Sequence, residues 1–131
     1  MSYALIVDDC RTTRSLVRRM VVGLGFETRE AGCLAEALAA LDPSAPPSFA
    51  LVDWEMPDGT GVELVRAWRS DPRLSETRLI MMTVRDGSDD IRTALAAGAD
   101  EFLMKPLTRE AIADKLALLE FAWTGPEQER G

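Results

Sequence analysis

The chain has 131 residues, 47% of them apolar and 28% charged, which suits one soluble globular domain with a sizeable core. A net charge of −7 argues against a nucleic-acid surface, because phosphate backbones call for a basic field. Histidine is absent, and with it go Ser-His-Asp and Cys-His catalysis, histidine metal sites and any phosphohistidine-carrier role.

Tyr3–Val7 is an apolar run bounded by Asp8-Asp9 and reads as a buried strand. Residues 11–24 have helical spacing, with Leu16, Met20 and Leu24 on one side, Val17 and Val21 beside them, and Gly23 and Gly25 suited to the end. Glu27–Ala31 is a polar extended segment, residues 33–41 an Ala/Leu-rich helix, and residues 42–48 a breaker-rich loop. A second apolar run, residues 49–52, ends abruptly in Asp53, and a Pro/Gly turn follows at residues 56–59. Residues 61–69 form a helix with Val62, Leu64, Val65 and Trp68 apolar, and residues 79–83 another buried strand. Ser88, Asp89 and Asp90 open a helix to Ala97 that stops at Gly98. Glu101–Met104 is a strand ending at Lys105-Pro106, and Thr108 caps a last helix running to about Trp123.

Five alternations of strand and helix predict βαβ units and a parallel sheet covered on both faces. The two most polar strands should be the edges. With right-handed crossovers this gives an α/β, flavodoxin-like (βα)5 doubly wound sheet of order 2-1-3-4-5. Residues 1–123 form the domain and residues 124–131 a short polar tail. Cys10 and Cys33 are too few for a disulfide scaffold or a zinc site. No apolar run is long enough for a membrane span and the chain opens without a basic n-region, so a cytoplasmic protein with no membrane or DNA contact is expected.

Asp8, Asp9, Asp53, Thr83 and Lys105 all fall at carboxyl ends of predicted strands, where open parallel sheets place their ligand crevice. Three carboxylates in one crevice repel each other, and oxygen-only ligands favour a hard cation such as Mg²⁺ or Mn²⁺. A carboxylate nucleophile such as Asp53 can form an aspartyl-phosphate, with the cation and Lys105 neutralising phosphoryl oxygens and the Thr83 hydroxyl donating to one.

The motifs Ile6-Val7-Asp8-Asp9, the 52–61 stretch Val-Asp-Trp-Glu-Met-Pro-Asp-Gly-Thr-Gly, Met82-Thr83 and the 97–106 stretch Ala-Gly-Ala-Asp-Glu-Phe-Leu-Met-Lys-Pro occur in order at domain-like spacing. Together they resemble the response-regulator receiver domain of two-component signalling, of the stand-alone, chemotaxis-regulator kind, over about residues 3–122. The resemblance implies a signalling switch that catalyses its own phosphorylation and dephosphorylation, rather than a true enzyme. Asp53 would be the phosphoacceptor. Asp9, Asp53 and the backbone carbonyl of Glu55 would ligate the metal, with Asp8 acting through water. Lys105 would pair with the phosphoryl group or Asp53, Thr83 and Phe102 would be switch residues, and the Lys105-Pro106 bond would be cis. Glu55, Val84 and Arg85 would tune phosphoryl lifetime: Val84 by crowding the site where the family has a smaller residue, the charged pair by closing over it.

The resemblance implies a histidine kinase or histidine phosphotransfer protein as donor and a downstream protein as target, with the chain a monomer or a weak phosphorylation-dependent dimer. Arg11, Arg14 and Arg18 form a basic stripe that reads either as a solvated face or as a docking surface for an acidic donor. Leu118, Phe121 and Trp123 give the last helix apolar surface beyond one core face, for packing or for a partner. A second function class is a phosphohydrolase of the haloacid-dehalogenase type, which also uses an aspartate nucleophile with an acid two residues on, as in Asp53-x-Glu55. There the nucleophile ends the first strand, whereas here the acidic pair comes first.

Overall fold

The computed structural model describes residues 3–40, 42–84 and 88–119. The central strands are β1 (Tyr3–Val7), β3 (Phe49–Asp53) and β6 (Arg78–Thr83). All of β1 and β3, and all of β6 after its first residue, are buried. The edges are β2 (Glu27–Ala31) and β7 (Glu101–Met104), the two most polar strands, as expected. All five pair in parallel in the order β2-β1-β3-β6-β7. Two further strands, β4 (Glu55–Met56) and β5 (Gly59–Thr60), form a small antiparallel hairpin, so the main strands stand in the predicted 2-1-3-4-5 arrangement.

Side chains alternate across the sheet with period two, and the core therefore has two halves. Leu5, Val7, Ala50, Val52, Leu79 and Met81 face one side, where they meet Leu34, Leu64, Val65, Trp68 and Ala94. These come from α2 (Leu34–Ala39), α3 (Gly61–Arg69) and α4 (Ser88–Ala97). Ala4, Ile6, Phe49, Leu51, Ile80 and Met82 face the other, against Val17, Val21, Ile112 and Leu116 of α1 (Arg11–Gly23) and α5 (Arg109–Leu118). Phe26 and Phe49 meet edge to face at 4.9 Å in that second half. Trp68 is fully buried in the first, so truncating it to Ala should cost about 3–5 kcal/mol.

The structure refines several boundaries. On α1 the buried stripe is Val17 and Val21, with Leu24 following, whereas Leu16 is 49% exposed at the edge of the apolar arc. α2 starts one residue later than expected because Cys33 caps it, the sulfur accepting from Glu36 N–H, and it ends at Ala39. The loop before β6 holds a 3-10 turn at Pro72–Leu74 capped by Asp71, which sequence reading missed. Thr108 caps α5 as predicted, accepting from Ala111 N–H at 3.1 Å. Leu118 is 68% exposed, while Phe121, Trp123 and the polar tail lie outside the described residues. No described helix is long and apolar enough to cross a membrane.

Candidate functional site

Parallel pairing sets the carboxyl ends of the central strands level: Val7 is opposite Val52, and Asp53 opposite Met82. Asp8, Asp53 and Thr83 therefore emerge together, and all three are buried. The chain leaves β3 along a fixed path, with Trp54 N–H donating to Met82 O at 3.1 Å and Gly61 N–H to Trp54 O at 2.8 Å. Lys105 N–H donates to Thr83 O at 2.8 Å, which seats the lysine beside the acids. The Lys105-Pro106 peptide is cis, as the resemblance implied.

Asp8 is held at every polar atom. Its N–H donates to Ala31 O at 3.1 Å. Its Oδ1 accepts from Cys10 N–H at 2.8 Å and its Oδ2 from Lys105 Nζ at 2.8 Å. Its carbonyl accepts from Arg14 Nη1 at 2.7 Å. Lys105 Nζ also donates to Asp53 Oδ1 at 3.0 Å. Burial works against the Lys105 charge, but its bonds to Asp8 and Asp53 outweigh that effect and raise its pKa.

Burial also pushes the Asp53 pKa up to about 6, helped by the Asp8 charge and a hydrogen bond with Asp9, and opposed by Lys105. One carboxylate oxygen from each of Asp8, Asp9 and Asp53 lies within 4.8 Å of the others. Three acids against one ammonium leave an excess of negative charge, and the donors are all oxygen, so a divalent hard cation fits this cluster. Asp9, whose side chain is exposed, and Asp53 line a crevice of about 290 Å³ with Trp54, Glu55, Thr83, Val84 and Lys105.

The remaining predicted residues fall around this crevice. The Glu55 side chain is exposed on the β4–β5 hairpin, and Val84 is 73% exposed at the rim. Arg85 lies outside the described residues. Phe102 is half-buried on β7, packed against the first core half, with Lys115 Nζ 5.2 Å from its ring centroid. Lys115 in turn pairs with Glu101 at 3.0 Å.

Two residues near the site escaped sequence reading. Arg14 belongs by spacing to a surface stripe, yet it reaches inward to the Asp8 carbonyl and pairs with Glu30 at 2.9 Å. Asp58, in the hairpin turn, accepts from Leu34 N–H at 2.7 Å and Ala35 N–H at 2.9 Å, tying the loop after Asp53 to the start of α2. These bonds hold its carboxyl below the usual range. An Asp in a Pro-Asp-Gly turn is ordinary turn chemistry, so its pattern gave no hint of a distant helix.

Residues 4–117 match the response regulator receiver domain. The chain belongs to that family. It is 36% identical over 116 residues to chemotaxis protein CheY1 of Helicobacter pylori, covering 88% of this chain and 94% of that one. It is 37% identical over 113 residues to chemotaxis protein CheY of Pseudomonas aeruginosa, covering 86% and 90% respectively. Chemotaxis response regulator CheY4 of Vibrio cholerae superposes with a TM-score of 0.82 at 29% identity, over 91% of this chain and 98% of that one. This receiver is thus a two-component signalling switch of the CheY-like kind, and the haloacid-dehalogenase alternative is not supported.

Proposed function

We propose that Asp53 accepts a phosphoryl group from a phosphohistidine on a histidine kinase or histidine phosphotransfer protein, and that the domain itself catalyses both this transfer and the later hydrolysis. The observation that carries this reading is Asp53 itself: a buried carboxylate opening on a polar crevice, bonded to Lys105 Nζ at 3.0 Å and ringed by two further acids. A carboxylate oxygen of Asp53 attacks phosphorus, the P–N bond breaks, and the imidazole leaves with the bonding pair and takes up a proton. At neutral pH a group whose pKa lies at about 6 is mostly ionised and ready for this role.

Asp9, Asp53 and the Glu55 carbonyl would hold Mg²⁺ or Mn²⁺, with Asp8 acting through water. When bound, the ion neutralises charge on the transferring oxygens. Lys105 stabilises the same charge from the other side, and the Thr83 hydroxyl donates to a phosphoryl oxygen. Val84 at the rim, with Glu55 and Arg85, sets how easily water reaches the acyl-phosphate; Arg85→Ala is expected to change the dephosphorylation rate. Phosphorylation would shift the population of the Thr83 and Phe102 region, read by a downstream protein on the α4, β7 and α5 face. A second cavity of about 330 Å³, lined by Leu16, Met20, Pro106 and Leu107 and sharing Val84 and Lys105 with the crevice, suits the apolar contacts of a donor helix. On this reading residues 1–123 form the receiver unit, act in the cytoplasm as a monomer or weak phosphorylation-dependent dimer, and make no DNA contact.

The test is incubation of wild type and Asp53→Asn with Mg²⁺ and a small acyl phosphate, followed by mass spectrometry. One phosphoryl group should saturate on wild type and none on the variant. An unmodified wild type rejects the reading, and continuous turnover of a phosphomonoester without saturation favours a phosphatase instead.

A further inference from the structure

We propose that Arg14 is a positioning residue for the divalent-cation site, acting through the peptide unit that joins Asp8 to Asp9. The proposal rests on the cation reading of the acidic cluster. Helix α1 carries Arg11, Arg14, Arg18 and Arg19 and no acid, so by sequence its arginines look interchangeable. Their surroundings differ. The Arg14 side chain is 19% exposed, against 45% for Arg18.

The Arg14 guanidinium makes two directed bonds at once: Nη1 to Asp8 O at 2.7 Å and Nε to Glu30 Oε1 at 2.9 Å. A guanidinium is planar and its donors are fixed relative to each other, so anchoring Nε on the edge strand aims Nη1 at the carbonyl. Arg18 Nε lies 3.6 Å from the other Glu30 oxygen and steadies the acid. Gly32 leaves the space that the guanidinium fills, since a Cβ there would stand 3.2 Å from Arg14 Nη1 and 3.4 Å from Glu36 Oε1.

The consequence for the metal follows from peptide geometry. The Asp8 carbonyl, the Asp9 nitrogen and the Asp9 Cα share one rigid plane. Fixing that oxygen orients the start of the Asp9 side chain. Asp8 is locked through its carboxylate and its own N–H, whereas Asp9 is exposed and meets Asp53 only at its carboxylate, so this plane sets where its side chain starts. Groups that orient a ligand from outside the coordination sphere commonly contribute tenfold or more to metal affinity.

Isothermal titration of the full chain with Mg²⁺ tests this, alongside thermal unfolding. Arg14→Met is expected to weaken Mg²⁺ binding by roughly tenfold, and Arg14→Lys by less, because one amine can meet the carbonyl but not Glu30 as well. Glu30→Gln and Gly32→Ala should weaken it in the same direction by a few-fold while leaving Arg14 in place. With excess Mg²⁺, labelling by a small acyl phosphate should return to within about twofold of wild type, because the chemistry itself is untouched. Wild-type Mg²⁺ affinity in a folded Arg14→Met protein overturns the proposal, even if its melting temperature falls. If that variant does not fold, unchanged affinity in both Glu30→Gln and Gly32→Ala overturns it. A wild type that binds no Mg²⁺ overturns the cation reading of the site and this inference with it.

Discussion

Lys105 Nζ lies 3.0 Å from Asp53 Oδ1 although the two residues are 52 positions apart. The sheet order makes this contact, because β3 and β7 flank β6 and all three strands run the same way. The same ammonium bonds Asp8 Oδ2 at 2.8 Å, so one cation serves two buried acids.

Removing that cation is therefore expensive. Lys105→Met leaves the Asp8 carboxylate, which has no exposed side-chain surface, without its only salt-bridge partner among the described residues. Breaking a buried pair in this way costs about 3–5 kcal/mol. Urea unfolding without divalent cations should show a loss of that order, with part of it restored by millimolar Mg²⁺. An unchanged midpoint would mean that Asp8 is compensated by other means.

Asp53 makes stability depend on pH with a defined sign. Its folded pKa of about 6 exceeds the ordinary 3.8, so between these values the folded protein holds a proton that the unfolded chain has released. Stability contributed by Asp53 is present below about pH 4 and is lost as pH rises through about 6. Asp53→Asn should be more stable than metal-free wild type at pH 7 by about 1–3 kcal/mol, the gap closing towards pH 4. Denaturation curves at four or five pH values check this; parallel profiles for the two proteins would contradict it.

Gly61 packs directly against the Asp53 backbone. A Cβ there would strike the Asp53 carbonyl oxygen and come within 2.8 Å of Met81 Cε and 3.0 Å of Val52 Cγ1. Backbone cannot rotate away as a side chain can, so Gly61→Ala should cost about 1–3 kcal/mol. It should also slow labelling by a small acyl phosphate, because relief of the clash moves Asp53.

The opposite end of the sheet offers a control. Asp100 Oδ2 accepts from Arg69 Nη2 at 2.7 Å and Leu79 N–H at 2.8 Å, while Arg69 Nε donates to Gly98 O at 2.9 Å. Asp100→Ala strands two half-buried donors and should lower stability by about 2 kcal/mol. The labelling rate of the folded fraction should not change, since the network sits at the amino ends of the strands. A large rate effect would point to coupling along β6.

Asp58 gives a smaller effect of a different kind. Its carboxylate caps α2 from the β4–β5 turn, so Asp58→Ala should lower the melting temperature modestly, as lost caps typically do. Thermal unfolding measures this directly, and a neutral substitution would mean that water replaces the cap.

Hydrophobic pattern is a local property, and what depends on it was legible in the chain. The apolar runs at β1, β3 and β6 specify buried central strands, polar β2 and β7 specify edges, and the acids and lysine at strand ends map to one crevice by strand order alone. Hydrogen-bond partnership between distant segments is not local. Nothing in the Arg11, Arg14, Arg18 spacing distinguishes the arginine that holds the Asp8 carbonyl from its solvated neighbours. Nothing in Pro57-Asp58-Gly59 shows that Asp58 closes a helix 24 residues earlier. Leu16 likewise fits the apolar period and is still half-exposed, because Val17 and Val21 are the residues of that arc buried against the sheet. Sequence periodicity determined which faces are buried and which groups reach the crevice. Tertiary packing alone decided which donor satisfies each carbonyl and carboxylate there, since those bonds exist only once the strands are aligned.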